Sequence, residues 1–188
     1  MKIRTKDMIL VSFFTALTAV GAFIKIPLSP APITLQFLFT ALAGVMLGSR
    51  LGALSQIIYV LLGLAGVPVF TKPGGLSYIF EPTFGYLIGF IVGAYVIGKI
   101  SESIRDINFL KLFLASFLGV IVIYIIGVPY LYIILKHVAN ANITFSSAAK
   151  SGFLIFLPGD LLKCIITALI GTKVIPLIKY DILKYNRL

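Results

Sequence analysis

The 188-residue chain has no tryptophan, one cysteine, one histidine and only six acidic residues. A lone thiol, Cys164, set inside an apolar run leaves no partner for an internal disulfide and no thiolate metal cluster. His137 is equally alone, near the end of another apolar run, and faces the interface rather than a metal or a nucleophile. No G-x-x-x-x-G-K-[ST] loop occurs, so any ATP hydrolysis that serves this chain must come from another subunit. No cofactor is called for, and the chain is not expected to be an enzyme. Charge is the most telling shortage. Charged residues make up 12% of the chain, hydrophobic residues 60%, and the mean hydropathy is +1.09. Soluble domains are nearer one-quarter charged. A chain this apolar cannot cover its own surface with polar groups, which makes it a multispanning membrane protein embedded in the lipid bilayer.

The charges that remain are distributed informatively. A formal net charge of +10 suggests nucleic acid only if it clusters on one face; here the basic residues punctuate the ends of apolar runs, which argues against nucleic acid. The runs predict an all-α membrane protein, a compact bundle of six transmembrane helices forming one substrate-binding domain over residues 1–188. They cover roughly 8–26, 33–49, 51–70, 83–98, 110–135 and 152–175, the fifth interrupted by Gly127 and Pro129. The first run, preceded by Lys2, Arg4 and Lys6, has some features of a signal peptide, but an uncleaved helix gives an even number of spans. With the N-terminus inside, the cytoplasmic side carries Lys2, Arg4, Lys6, Arg50, Lys99, Arg105, Lys111, Lys173, Lys179, Lys184 and Arg187. The outer side carries Lys25, Lys72, Lys136 and Lys150. That asymmetry places both termini in the cytoplasm. Tyrosines supply the interfacial anchors, Tyr130 and Tyr132 outside, Tyr180 and Tyr185 inside.

Against this background the stretch FLPGDLLKC, residues 156–164, stands out. Asp160 and Lys163 share one helix face at i and i+3. They lie about eight residues into the last span, roughly 12 Å deep at 1.5 Å per residue. Charges at that depth cost several kcal/mol unless paired or wetted. The pair either neutralises itself as a packing device or faces a polar cavity. Other polar residues gather at the same level: Thr34 and Gln36 at the start of the second span, Tyr124 in the fifth, Glu81 and Tyr86 at the mouth of the fourth. The loop TKPGGLSYIFEPTFGY, residues 71–86, contributes Gly74 and Gly75, where backbone can turn or approach closely. The inner half of the bundle offers no comparable polar set. Together these residues outline an outward-facing pocket for a small solute with paired donors and acceptors and an apolar body.

The segment KIPLSPAPITLQFLFTALAGVMLGSRLGALSQIIYVLLGLAGVPVF, residues 25–70, resembles the BioY family, the biotin-specific S-components of energy-coupling factor (ECF) transporters. The resemblance continues through GGLSYIFEPTFGYLIGF, residues 74–90, and returns at FLPGDLLKC. It implies a six-helix protein that binds biotin from outside and mediates its uptake with an ECF module, a coupling membrane subunit plus two ABC-type ATPases. It also implies that Asp160 and Lys163 contact the biotin head group, and that Thr34 and Gln36 sit beside a first loop that closes over the ligand.

Two departures from the family pattern stand out. The family usually reads close to GPTGGY where this chain has EPTFGY, so Glu81 and Phe84 replace glycines. A carboxylate at the mouth repels an acidic ligand tail unless it turns away or pairs with Lys72. The second departure lies in the first helix, where S-components often present alanines four residues apart to the coupling subunit. Here Ser12 and Ala16 take those places, still small enough for close helix approach. An S-component for thiamine or riboflavin, a standalone small-solute transporter, and a membrane enzyme using Asp160 and Lys163 as an acid-base pair are the alternatives.

Overall fold

The computed structural model describes residues 4–185, with side chains described as far as Leu177. Lys2 and Arg187 lie outside the described residues, and Lys179, Tyr180, Lys184 and Tyr185 lie beyond the described side chains. Helix α1 (Thr5–Phe23) leads into a small antiparallel hairpin of β1 (Lys25–Ile26) and β2 (Ile33–Thr34), then α2 (Gln36–Leu64). A loop with one 3-10 turn (Leu76–Phe80) precedes α3 (Phe84–Ser103) and α4 (Phe109–His137). The chain closes with α5 (Phe145–Ala149), a π-helical turn (Lys150–Leu154) and α6 (Leu157–Tyr185).

Local chemistry accounts for the boundaries. Asp7 accepts the Arg4 backbone N–H at 3.1 Å to start α1, and the Asn108 side chain accepts the Lys111 N–H at 2.9 Å to start α4. Gly66, at φ +95°, and Pro68 end α2.

Among the described residues five helices are long and apolar enough to cross a membrane, where the sequence reading has six spans. The difference lies in α2, a single continuous element that takes in the expected second span and most of the third. It does not run straight. Gly48 adopts φ +82° and ψ −176°, outside helical space, and the chain doubles back there. Gln36 and Tyr59, 23 residues apart, touch at 2.8 Å; a straight helix would hold them roughly 35 Å apart. Only glycine adopts that backbone freely, and a Cβ at Gly48 would run into the Glu102 carboxylate. Glu102 accepts from both the Ser49 N–H, at 2.7 Å, and its hydroxyl, and so ties the turn to the end of α3.

Two other expectations are corrected. Helix α4 passes unbroken through Pro129, its glycine at position 127 leaving room for the Tyr86 ring. The last helix begins at Leu157 rather than near residue 152, because the π-helical turn and two further residues precede it.

The hairpin, the 65–83 loop and the 138–156 segment gather at one end of the bundle. The Gly48 turn and the α3–α4 connection lie at the other, where α1 begins. The main core joins α2, α3, α4 and α6 through Tyr59, Phe90, Ile97, Leu112, Ile123 and Cys164. Large apolar side chains such as Phe13, Leu61, Leu118, Ile125, Leu162 and Leu169 point outward. Such a surface suits lipid and not water.

Candidate functional site

The last helix starts where the chain has just left a π-helical turn, and its first turn carries Asp160 inward. Phe156, Asp160 and Lys163 follow one another at helical spacing and line a common wall. Lys163 Nζ donates to Asp160 Oδ1 at 2.6 Å, and the Tyr124 hydroxyl donates to Asp160 Oδ2. All three residues are buried. A carboxylate offers about four acceptor positions and an ammonium three protons. Both therefore retain capacity after pairing with each other, facing a cavity rather than packed carbon.

That cavity opens to the surface and spans about 630 Å³ of space, part of it solvent at its mouth. Its apolar walls come from Phe37 on α2, Leu87 and Phe90 on α3, Val120 and Ile123 on α4, and Phe156. Ala31, Pro32 and Thr34 bring the hairpin loop over it, and Thr71, Tyr78 and Thr83 bring the loop between α2 and α3. Tyr86 stands between: its hydroxyl donates to the Gly152 carbonyl at 2.8 Å, and its ring meets Tyr124 edge-on at 6.3 Å.

Gln36 opens α2 and is held from two sides. Thr34 Oγ1 donates to its Oε1 at 2.9 Å, and its Nε2 donates to Tyr59 OH at 2.8 Å. Tyr59 in turn donates to the Val69 carbonyl at 2.9 Å, which fixes the loop to the helix. The amide is thus locked in one orientation before any ligand arrives, so little ordering cost remains at binding.

Of the residues singled out from the sequence, the fold brings Asp160, Lys163, Gln36, Thr34 and Tyr86 together around one pocket. Gly74, Gly75 and Glu81 do not line it. A Cβ on Gly74 would press on the Gly63 and Val67 carbonyls, while the Gly75 N–H donates to the Gly63 carbonyl at 2.8 Å. These two glycines seat the loop on the end of α2. Glu81 accepts from Lys72 Nζ at 2.6 Å on the exposed side of the loop, so its charge is answered there. Phe84 is buried, its ring 6.5 Å from Tyr78 and 5.9 Å from Tyr130. Ser12 and Ala16 are exposed on the outer face of α1.

Sequence reasoning missed Thr71, Tyr78, Thr83, Phe37 and Phe90. A signal existed for some: Phe90 follows Tyr86 by one helical turn, and Phe37 adjoins Gln36. A second buried polar set lies outside the pocket lining. Thr15, Thr18, Thr40, Ser55 and Gln56 are all buried between α1 and the two legs of α2. They bond to one another and to backbone carbonyls, not to a cavity. Among the described residues no group of histidine, cysteine and acidic side chains could hold a metal ion.

Comparison with known proteins yields consistent matches. Residues 1–180 match the model of the BioY family. The chain is 43% identical over 169 residues to a probable biotin transporter BioY of Lysinibacillus sphaericus, covering 90% of this chain and 86% of that protein. It is 38% identical to the biotin transporter BioY of Thermotoga maritima, covering 89% and 95% of the two. Among solved structures, it superposes with a TM-score of 0.79 on the S-component for biotin from an ECF-type ABC transporter. That match has 29% identity and covers 90% of both chains.

Proposed function

The chain belongs to the BioY family, and on that premise we propose that it is a biotin-binding S-component that takes up biotin as part of an ECF-type transporter rather than acting as an enzyme. The observation that carries the reading is the buried Asp160–Lys163–Tyr124 group, set against an apolar pocket with hydrogen-bonding capacity to spare. A ureido ring carries two N–H donors beside a carbonyl acceptor. Asp160 accepts from the N–H side while Lys163 donates to the carbonyl, so the head group uses the hydrogen-bonding capacity that the pair retains. The hydrocarbon part of the ligand fits the walls of Phe37, Phe90, Val120 and Ile123.

The two legs of α2 support six crossings, since five long helices with one doubled back bring both termini to the same side. The excess of basic residues at that side favours the cytoplasm for it, which turns the pocket outward. In this reading the whole chain works as one membrane domain. Biotin enters from outside, and the hairpin loop carrying Ala31, Pro32 and Thr34 closes over it. A coupling membrane subunit driven by two ABC-type ATPases then reorients the protein. Ser12 and Ala16, exposed and four residues apart on α1, suit close approach of that subunit. Replacing both with leucine is expected to spare biotin binding and impair co-purification with the energising subunits. Intact assembly would move the coupling face elsewhere.

The substrate is tested by calorimetric titration of the detergent-purified protein with biotin, thiamine and riboflavin. Saturable heat for biotin alone is expected. Equal binding of another vitamin, or none of biotin by the folded protein, overturns the assignment.

A further inference from the structure

Between α5 and α6 the chain stays helical, yet the ladder of α-helical bonds lapses for one turn. The Ile155 N–H reaches back to the Lys150 carbonyl at 3.4 Å, and the Phe156 N–H only to the Phe153 carbonyl at 3.1 Å. Regular spacing resumes with the Asp160 N–H, which donates to the Phe156 carbonyl at 3.0 Å. The sequence demands a break here, because Pro158 has no N–H to return to the Leu154 carbonyl. It does not dictate the register that follows.

That register decides where Asp160 points. Winding the π turn into α form would rotate α6 about its axis relative to α5 by an angle on the order of one residue's step, about 100°. Both neighbours of the turn are anchored. Ala148 is buried and Phe145 meets Tyr132 edge-on at 5.5 Å, while Asp160 accepts from Tyr124. The turn between them absorbs the mismatch.

Tyr86 is built onto this turn. An α-helix would pair the Gly152 carbonyl with the Phe156 N–H, which has gone to Phe153 instead. The Tyr86 hydroxyl, from α3, donates to that carbonyl at 2.8 Å. Two glycines clear the approach: a Cβ on Gly152 would lie 2.5 Å from the Tyr86 hydroxyl, and one on Gly127 2.5 Å from its ring. Phe153, the next residue of the turn, packs edge-on against Tyr124 at 4.8 Å, and Tyr124 donates to Asp160. A short path of contacts therefore runs from Tyr86 through the turn to the carboxylate. The Tyr86 proton is spent on backbone, not left for a ligand.

We propose that Tyr86 is a positioning residue: its hydroxyl selects the π register of the turn and thereby aims Asp160 and Lys163 into the pocket, without itself bonding the ligand. The inference deepens the biotin reading and rests on it for its affinity measurements.

The test combines biotin titration of two double-mutant cycles with amide hydrogen exchange of the ligand-free protein. Tyr86→Phe keeps the ring and removes the hydroxyl. It is expected to weaken biotin about tenfold in the wild-type background and less than about twofold in the Asp160→Asn background. Gly152→Ala breaks the same bond from the other side and serves if Tyr86→Phe does not fold. It should weaken biotin about as much and add nothing to Tyr86→Phe. Exchange over residues 150–157 should quicken about tenfold in Tyr86→Phe while the α4 amides keep their wild-type rates. An equal loss in both Asp160 backgrounds would make the Tyr86 hydroxyl a direct ligand contact and overturn the proposal. Additive losses from Tyr86→Phe and Gly152→Ala would overturn it as well, and decide the matter if Asp160→Asn binds too weakly to titrate. Unchanged affinity and exchange in folded Tyr86→Phe would leave the hydroxyl without a role. Quickened exchange in a protein whose wild type binds no biotin would defeat the biotin reading and leave the tie to the turn standing.

Discussion

Gln36 and Gln56 occupy the two legs of α2, the first at the pocket and the second nearer the Gly48 turn, both with 5% exposure or less. The amide of Gln56 is saturated. Its Oε1 accepts from Thr40 at 3.1 Å, and its Nε2 donates to Thr18 at 3.2 Å and to Ser55 at 3.1 Å. Those partners are anchored in turn, Thr18 to the Phe14 carbonyl and Ser55 to the Gly52 carbonyl. Gln36 is held as firmly but keeps one proton, and that proton has a cavity beside it. Burial and residue type are the same; remaining capacity separates them. A polar group that is fully answered within the bundle holds helices together, whereas one with capacity facing empty space is available to a ligand.

The contrast can be broken from either side. The largest effect belongs to Lys163→Met, which leaves Asp160 as a buried carboxylate held by Tyr124. Breaking a buried pair costs about 3–5 kcal/mol, and water in the pocket returns part of it. The variant is expected to lose biotin affinity by a hundredfold or more and to melt at a lower temperature. Titration and thermal unfolding in the same detergent check both.

Next comes Gln56→Leu. It removes the shared partner of Thr18, Thr40 and Ser55 without changing side-chain bulk greatly, and strands the Thr40 hydroxyl, whose acceptor it was, at about 1–3 kcal/mol. Thermal unfolding should show the loss while biotin affinity stays within about threefold. A large affinity change with unaltered stability would erase the distinction between the two clusters.

Gly48→Ala acts on the hinge that places both glutamines. A Cβ at φ +82° is strained and meets Glu102, a cost of about 1–3 kcal/mol. The melting temperature should fall with little change in affinity once the protein is folded. The smallest effect is expected of Gln36→Leu, about tenfold in biotin affinity, or 1.4 kcal/mol, with a melting temperature near that of the wild type. Equal stability losses for Gln36→Leu and Gln56→Leu would contradict the comparison.

Much of the pocket was legible because its chemistry is costly. Two charges three residues apart in an apolar run need an explanation, and Thr34 with Gln36 at a helix start adds to it. The saturated cluster was not legible, since its threonines and the adjacent Ser55 and Gln56 sit within apolar runs, and the bonds that join the helices cross 16 to 40 positions. No local pattern records such contacts. Thr71, Tyr78 and Thr83 were missed for a different reason: they belong to a loop whose glycines and Glu81 are the conspicuous residues, yet those serve the loop's own seating. The bend in α2 was half legible. The break between two apolar runs was visible in GSRLG, residues 48–52, but whether the chain there separates two helices or folds one hairpin back on itself depends on the backbone of Gly48 and its contact with α3.

The most direct test of the account is a biotin titration of Asp160→Asn, which keeps the shape of the side chain and removes its charge. Affinity at least a hundredfold below wild type is expected, in a protein that remains folded and monodisperse. Wild-type affinity in that folded variant would remove the Asp160–Lys163–Tyr124 group from the binding site.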